Sequence, residues 1–285
     1  VVTQGTSSVA KNFAIFVNNT SDQAIPTGLE QGINFDQNDT SKATLVLEAP
    51  HKDFIYVAGS FNNWTPTTEY AMKKDSNSDL FWIELNGLIS GQVETYQYWV
   101  FDQTTITNSP KFVKTADPYS TLVLSPYDDP WISEETYPNL HPFPDGQERE
   151  VTILQTGQEQ YNWQVTNFDK PAKEDLVIYE LLIRDFDANR NFQDVIDRID
   201  YFKNLNINAI ELMPVMEFEG NESWGYNTSF HMALDKFYGT EDKFKELIDV
   251  CHQNGIAVIL DLALNHAFGR NPLVRMWKDD SDENG

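Results

Sequence analysis

Cysteine is nearly absent from this chain: Cys251 is the single one in 285 residues. That excludes an intrachain disulfide and a cysteine-based metal cluster. It leaves the compartment open, since a secreted protein can lack disulfides, and a secreted or periplasmic home is compatible with it. Cations are scarce too, with 20 Lys and Arg against 44 Asp and Glu and a formal net charge of −24. A surface of this sign repels nucleic acid and anionic membrane, so no nucleic-acid partner is expected; a merely solvated acidic surface accounts for the charge itself. No apolar run approaches a membrane span, so no membrane insertion is expected. The opening residues Val1-Val2-Thr3-Gln4 lack a basic segment followed by an apolar core, so a leader was either never there or has been removed. What is present is a globular composition, 40% hydrophobic and 13% aromatic, long enough for two domains.

Residues 1–42 read as an N-terminal extension rich in Asn, Thr, Ser, Gln and Asp, with Ala14-Ile15-Phe16-Val17 as a candidate strand. From 43 to 125 the signals are all β. Residues 44–48, 54–58, 80–85, 95–101 and 121–124 are short runs of β-branched and aromatic residues separated by turn formers, which suggests a β-sandwich. Residues 126–175 form a proline-rich connector. Within it Val151–Leu154 and Trp163–Val165 could each be a strand, and its aromatics imply that it packs on its neighbours.

From 176 to 285 strands and helices alternate. Residues 177–183 are strand-like. Phe192, Val195, Ile196, Ile199, Phe202 and Leu205 recur at helical steps behind an Asn191 cap, with Asp194 three residues on. Ala209–Pro214 is a second strand. Phe244, Leu247, Ile248 and Cys251 mark a second helix, with Thr240 as its cap candidate and Gly255 as its stop. Ala257–Leu260 is then an apolar strand expected to be buried on both faces. This β-α-β-α-β order implies parallel crossovers.

The last strand delivers Asp261, Asn265 and His266 to its C-terminal end, where barrel enzymes put substrate sites. The alternative is that Asp261 and Asn265 form turns and His266 is a loop histidine. Glu217 to Gly239 reads as a long loop leaving the same sheet end, with Trp224-Gly225-Tyr226-Asn227 in its middle. Its aromatic rings offer flat apolar faces to a sugar, or else they staple the loop to the sheet.

Four stretches in order carry a resemblance: Ile178–Phe186, Asn208–Pro214, Trp224–Asn227 continuing to Tyr238–Thr240, and Asp261–His266. They resemble the first part of the catalytic barrel of glycoside hydrolase family 13, the α-amylase family, and in particular its pullulanase, branching-enzyme and isoamylase-like members. The resemblance implies a multi-domain fold: an N-terminal all-β immunoglobulin-like sandwich, then the first three β/α units of a TIM (β/α)₈ barrel. It implies that Tyr226 stacks under the glucose ring beside the scissile bond, and that His266 hydrogen-bonds that sugar's hydroxymethyl group. Asp261 would orient the neighbouring strand end through an arginine beyond this chain, and Trp224 would belong to the same substrate loop. Asn265 matches a structural-calcium residue of many α-amylases. Calcium needs several oxygen ligands; the others are not identifiable, so no metal is assigned and no cofactor is required. Thr228 stands where relatives commonly have Pro.

Gly59–Trp64, Tyr96–Asp102 and Asp117-Pro118-Tyr119 resemble carbohydrate-binding module family 48, the glycogen-binding type. Trp64 matches a glucan-stacking position. Thr104-Thr105-Ile106 stand where a second Trp is expected, and Gln97 replaces a frequent Lys, so a sandwich buttressing the barrel is the first reading and sugar binding the second.

The implied partner is an α-glucan or maltooligosaccharide, together with the remainder of the chain's own barrel. The family's retaining mechanism needs two carboxyl groups about 5–5.5 Å apart, and the positions that supply them lie on later strands. Asp185, Glu211, Glu217 and Asp261 match none of those roles, so the chain is expected to hold substrate-pocket residues without a catalytic pair. The alternatives are a non-catalytic α-glucan-binding protein and a structural module that binds no sugar.

Overall fold

A computed structural model describes residues 15–104 and 108–278, together with the backbone of two short paired strands, β1 (Val2–Gln4) and β2 (Ser7–Val9). Ala14, Thr105, Ile106 and residues 279–285 lie outside the described residues.

The next strands are β3 (Gly32–Phe35), β4 (Lys42–Glu48), β5 (Phe54–Gly59), β6 (Lys73–Lys74), β7 (Leu80–Asn86), β8 (Val93–Phe101), β9 (Phe112–Thr115), β10 (Val123–Leu124) and β11 (Val151–Gln155). They form two antiparallel sheets, β3-β4-β7-β6 and β10-β11-β8-β5, with β9 also paired to β8. The long strand β8 organises the second sheet. One edge pairs with β5, while the other takes β11 against its first half and β9 against its second. Alternation along β8 sends Tyr96, Tyr98 and Val100 into the core shared with the first sheet, and Trp99 and Phe101 to an outer aromatic cluster. The two core phenols both donate to Asp117, at 2.8 and 2.9 Å.

Two strands come from outside 43–125. The extension supplies β3, and the connector supplies β11 between β10 and β8. Sheets recruit strands by free hydrogen-bonding edges, so the sequence boundaries of the sandwich were too narrow. Residues 15–17 are not a strand; Phe16 instead lays its ring against Tyr56 and Trp99. Trp163–Val165 is not a strand either. Its backbone is held by the Asp249 carboxylate, which accepts from Gln164 N, Val165 N and the Tyr161 hydroxyl. The connector does pack, as expected, and Phe168 stacks on His252 at 4.0 Å.

The second half contains β12 (Ile178–Leu181), the single turn α1 (Ile183–Phe186), α2 (Phe192–Asp197), α3 (Ile199–Asn204), β13 (Ala209–Leu212), β14 (Met216–Phe218), β15 (Thr228–Leu234), α4 (Glu241–Gln253), β16 (Ala257–Leu260) and α5 (Pro272–Trp277). β12, β13 and β16 form a parallel sheet in that order, in register Ile178–Ala209–Ala257. Asn191 caps α2 by accepting from Asp194 N, and the expected single helix breaks at Arg198 into α2 and α3. Thr240 caps α4, and Gly255, at φ +73°, ends its turn. β16 is not buried on both faces: its residues are half-buried, and Leu260 is 39% exposed. It is an edge strand of the described sheet, so one side has no partner to cover it. The stretch read as a loop is partly a hairpin, β14 against β15, with an irregular register.

The hairpin is fixed to the connector by buried charge. The Lys236 ammonium bonds Glu217 and lies 3.3 Å from Asp129; both Lys236 and Glu217 are buried. Nearby, Arg270 reaches Asp128 at 2.5 Å. α5 then returns to the sandwich, where Met276 enters the core and the Trp277 indole donates to the Pro50 carbonyl at 3.0 Å.

Candidate functional site

Strand direction brings the site together. β12, β13 and β16 run parallel, so the chain leaves all three at one end of the sheet. From β13 it enters the β14–β15 hairpin, whose tip, residues 219–227, carries Trp224 and Tyr226. From β16 it enters residues 261–271.

The tip is held rigidly. Asn227 donates its side-chain amide to the Glu219 carbonyl at 2.8 Å, and Glu219 N donates to the Asn227 carbonyl at 3.2 Å. Gly225 N donates to the Ser223 hydroxyl at 2.9 Å. Gly225 has φ +92°, and a Cβ there would lie 2.5 Å from the Pro214 carbonyl oxygen, so only glycine fits this close approach. Tyr226 is thereby set against the end of β16.

Arg270 N donates to Glu219 Oε1 at 2.5 Å, and two hydrogen bonds of Tyr226 also join the segments. The Tyr226 hydroxyl donates to Asp261 Oδ2 at 2.5 Å. His266 Nδ1 meets the Tyr226 carbonyl at 2.8 Å. A carbonyl can only accept, so Nδ1 carries the proton, and in the neutral ring Nε2 is left as an acceptor on an exposed side chain. Behind it, His231 Nε2 donates to the His266 carbonyl at 2.9 Å, and the Asn271 amide meets His231 Nδ1 at 3.4 Å. Asp261 continues the sheet through a bond from its N–H to the Leu212 carbonyl at 2.9 Å.

The electrostatics are one-sided. The hydrogen bond to Asp261, then burial, then the Asp261 charge with smaller contributions from Glu180 and Glu211, push the Tyr226 phenol up to about 12. Glu180 and Glu211 are directly paired in register on neighbouring strands. The site is thus a carboxylate-rich surface with a phenol and an imidazole, which suits neutral polyhydroxyl ligands better than anions.

Tyr226, Asp261 and His266 come together. Trp224 lies on the same tip with 62% of its surface exposed, available to a large ligand. Asn265 is exposed beside His266. Among the described residues no three His, Cys, Asp or Glu side chains gather to hold a metal ion. Glu217 is not at this site, being buried against Lys236. Trp64 lies in the sandwich, half-buried at φ +55°, packed with the outer aromatic cluster and lining an open cavity of about 550 Å³ with Tyr56, Phe16 and Trp99. Sequence reasoning missed His231 and Asn271, which no motif flags; only the pairing of β15 with the segment after β16 brings them behind His266.

Residues 144–279, just under half of the chain, match the alpha-amylase catalytic-domain family. The match begins ahead of β11, so it includes a strand of the second antiparallel sheet. A malto-oligosyltrehalose trehalohydrolase of Saccharolobus solfataricus is 41% identical over 106 residues, covering 37% of this chain and 19% of that protein. A 1,4-alpha-glucan branching enzyme of Aquifex aeolicus is 27% identical over 232 residues, covering 76% and 32%. Among solved structures, a pullulanase of Paenibacillus barengoltzii complexed with maltotetraose superposes with a TM-score of 0.65 at 16% identity, over 89% of this chain and 41% of that one. At such identity the likeness concerns the fold alone. The chain spans about a fifth to a third of the length of these curated relatives.

Proposed function

We propose that this chain is the N-terminal part of a member of the α-amylase family, glycoside hydrolase family 13, and that the whole protein is an α-glucan-active glycoside hydrolase or transglycosylase. One observation carries the reading. Tyr226 on its loop is joined to Asp261 and His266, at the C-terminal end of a parallel sheet, by two hydrogen bonds of its own. In this reading the Tyr226 ring takes the apolar face of a glucose unit, and bonding to Asp261 fixes its tilt. His266 Nε2 accepts from a sugar hydroxyl. Trp224 meets the chain further out. The three parallel strands are the first of a (β/α)₈ barrel. The outer edges of β12 and β16, unpaired among the described residues, together with the exposed Val177, Ile178, Leu262 and Leu264, supply an apolar surface for further strands. The retaining carboxyl pair would come from those strands. The two antiparallel sheets serve as an immunoglobulin-like, family-48-type module that buttresses the barrel through α5 and the Lys236 and Arg270 ion pairs.

The test is direct. The purified 285-residue chain should release no reducing ends from glycogen or maltotetraose, yet should bind maltotetraose through Tyr226. Measurable hydrolysis by a preparation free of other glucanases would defeat the inactivity claim. Unchanged affinity in Tyr226→Ala would defeat the site.

A second reading, glucan binding through the sandwich, is favoured by the Trp64 cavity alone. In that case Trp64→Ala lowers glycogen affinity and Tyr226→Ala does not. If neither changes it, or there is no affinity to change, a structural module remains.

A further inference from the structure

The cleft between β9, the turn at residues 148–149 and α5 has no part in the glucan reading. It encloses about 460 Å³ and is lined by Lys114, Arg149, Arg275 and Lys278, with Glu148 as the one acid in its wall. In the whole chain acids outnumber cations by 44 to 20, so four cations around one acid invert the balance of the protein. Among the described residues none of the four forms an ion pair, whereas the adjacent Arg270 takes Asp128, with Glu150 and Glu219 further off. We propose that this cleft binds a compact oxyanion of the phosphate class, either inorganic phosphate or the phosphate group of a sugar phosphate.

The turn is built to present charge. Gln97, fully buried, donates its amide to the Glu148 and Glu150 carbonyls at 2.9 and 2.8 Å. This holds Arg149 at φ +72°, a left-handed conformation that a non-glycine residue adopts only when its surroundings impose it. Arg275 is half-buried. Burial first, then the Arg149 guanidinium, disfavour its charge, while Glu150 partly offsets them. An anion between the two guanidinium groups relieves that repulsion and gains charge-assisted hydrogen bonds, with Arg presenting two donors at once. Lys114, whose ammonium lies 4.5 Å from the Trp99 ring centroid, adds a third cation, and Phe112 gives the cleft an apolar wall for a sugar ring. The overall negative charge opposes capture at a distance, but at physiological salt that field is screened beyond roughly 8 Å, so the local cations decide.

Titration calorimetry of the full chain at constant ionic strength tests the site, with inorganic phosphate and a hexose 6-phosphate as separate probes. One saturable site with a Kd on the order of 1 mM is expected. Arg149→Gln and Arg275→Gln should each weaken it by about fivefold or more. Lys42→Gln, far off in sequence and paired with Asp39, should not. Arg149 is exposed, so its variant is not expected to unfold; thermal unfolding of Arg275→Gln checks that its loss of binding is not loss of fold. Tighter binding of the hexose phosphate would assign the Phe112 wall to a sugar, and equal binding would assign the site to the oxyanion alone. No saturable binding of either probe up to about 20 mM, or wild-type affinity in Arg149→Gln, would overturn the proposal. Neither outcome bears on glucan binding, which is read from Tyr226.

Discussion

The Tyr226 hydroxyl bonds Asp261 across 35 residues of chain, at 2.5 Å, and this contact ties the hairpin tip to the end of β16. Its thermodynamic signature follows from charge. A phenol that donates to a carboxylate resists ionisation, and Tyr226 is pushed up to about 12. The folded value lies above the ordinary 10, so the folded form holds the proton longer. The stability from this group is complete below pH 10 and is lost as pH climbs through 12. NMR titration of labelled tyrosine, assigned with Tyr226→Phe, should show this resonance titrating late, close to that of Tyr161, whose phenol donates to Asp249 and is likewise pushed up to about 12. Asp261→Asn should bring it back towards 10.

Gly225→Ala should damage the tip. The new methyl would stand 2.5 Å from the Pro214 carbonyl oxygen, in a left-handed conformation. We expect a loss of about 1–3 kcal/mol in denaturant unfolding. Maltotetraose affinity should fall further than in a surface glycine variant such as Gly87→Ala, which shares the positive φ but meets no neighbour.

Lys236→Met should be among the most destabilising single changes. It leaves Glu217 and Asp129 facing each other in a buried site without their cation, at a cost of about 3–5 kcal/mol. The double variant Lys236→Met with Glu217→Gln should recover part of that loss. Urea unfolding of the three proteins measures it.

The same cluster sets a pH dependence. Burial, opposed by Lys236, raises the Glu217 carboxyl to about 7, above its ordinary 4.5. The folded form therefore binds an extra proton between these values. This group's contribution is complete below pH 4.5 and fades as pH rises through 7. Asp235, buried beside it, is pushed up as well, by burial first and then by Glu217. Glu217→Gln should flatten the decline of stability between pH 4.5 and 7 and leave the parts due to the other carboxyls that burial pushes up, Asp235, Asp129, Asp117 and Glu150.

In the proposed glucan site His231 is a positioning residue. It grips the His266 carbonyl and should touch no sugar. His231→Ala should lower maltotetraose affinity by a few-fold, about the worth of one hydrogen bond. His266→Ala should lower it by at least as much. The two losses should not add in the double variant, because both act through the placement of His266.

Much of the fold could be read directly from residue patterns. The cap at Asn191, the cap at Thr240 and the stop at Gly255 are local devices, since each depends on a side chain and the backbone within a few residues of it. The runs at 44–48, 54–58, 80–85 and 95–101 became strands because alternation and β-branched content are also local. What failed was non-local. Nothing in Val151–Gln155 says that it inserts between β10 and β8, and nothing in Trp163–Val165 says that a carboxylate on α4 will satisfy its backbone.

The candidate site divides in the same way. By itself the sequence determined its ingredients: a Gly before Tyr226, and Asp, Asn and His placed after an apolar strand. Only the tertiary structure decided that Tyr226, Asp261 and His266 meet while Trp64 and Glu217 stand elsewhere. Only it exposed His231 behind the site and gathered Lys114, Arg149, Arg275 and Lys278 into one cleft. The reason is physical. Caps and strand alternation are settled by the nearest few residues, whereas hydrogen bonds and charge clusters between distant segments depend on which sheet edge, and which end of it, each segment finally occupies.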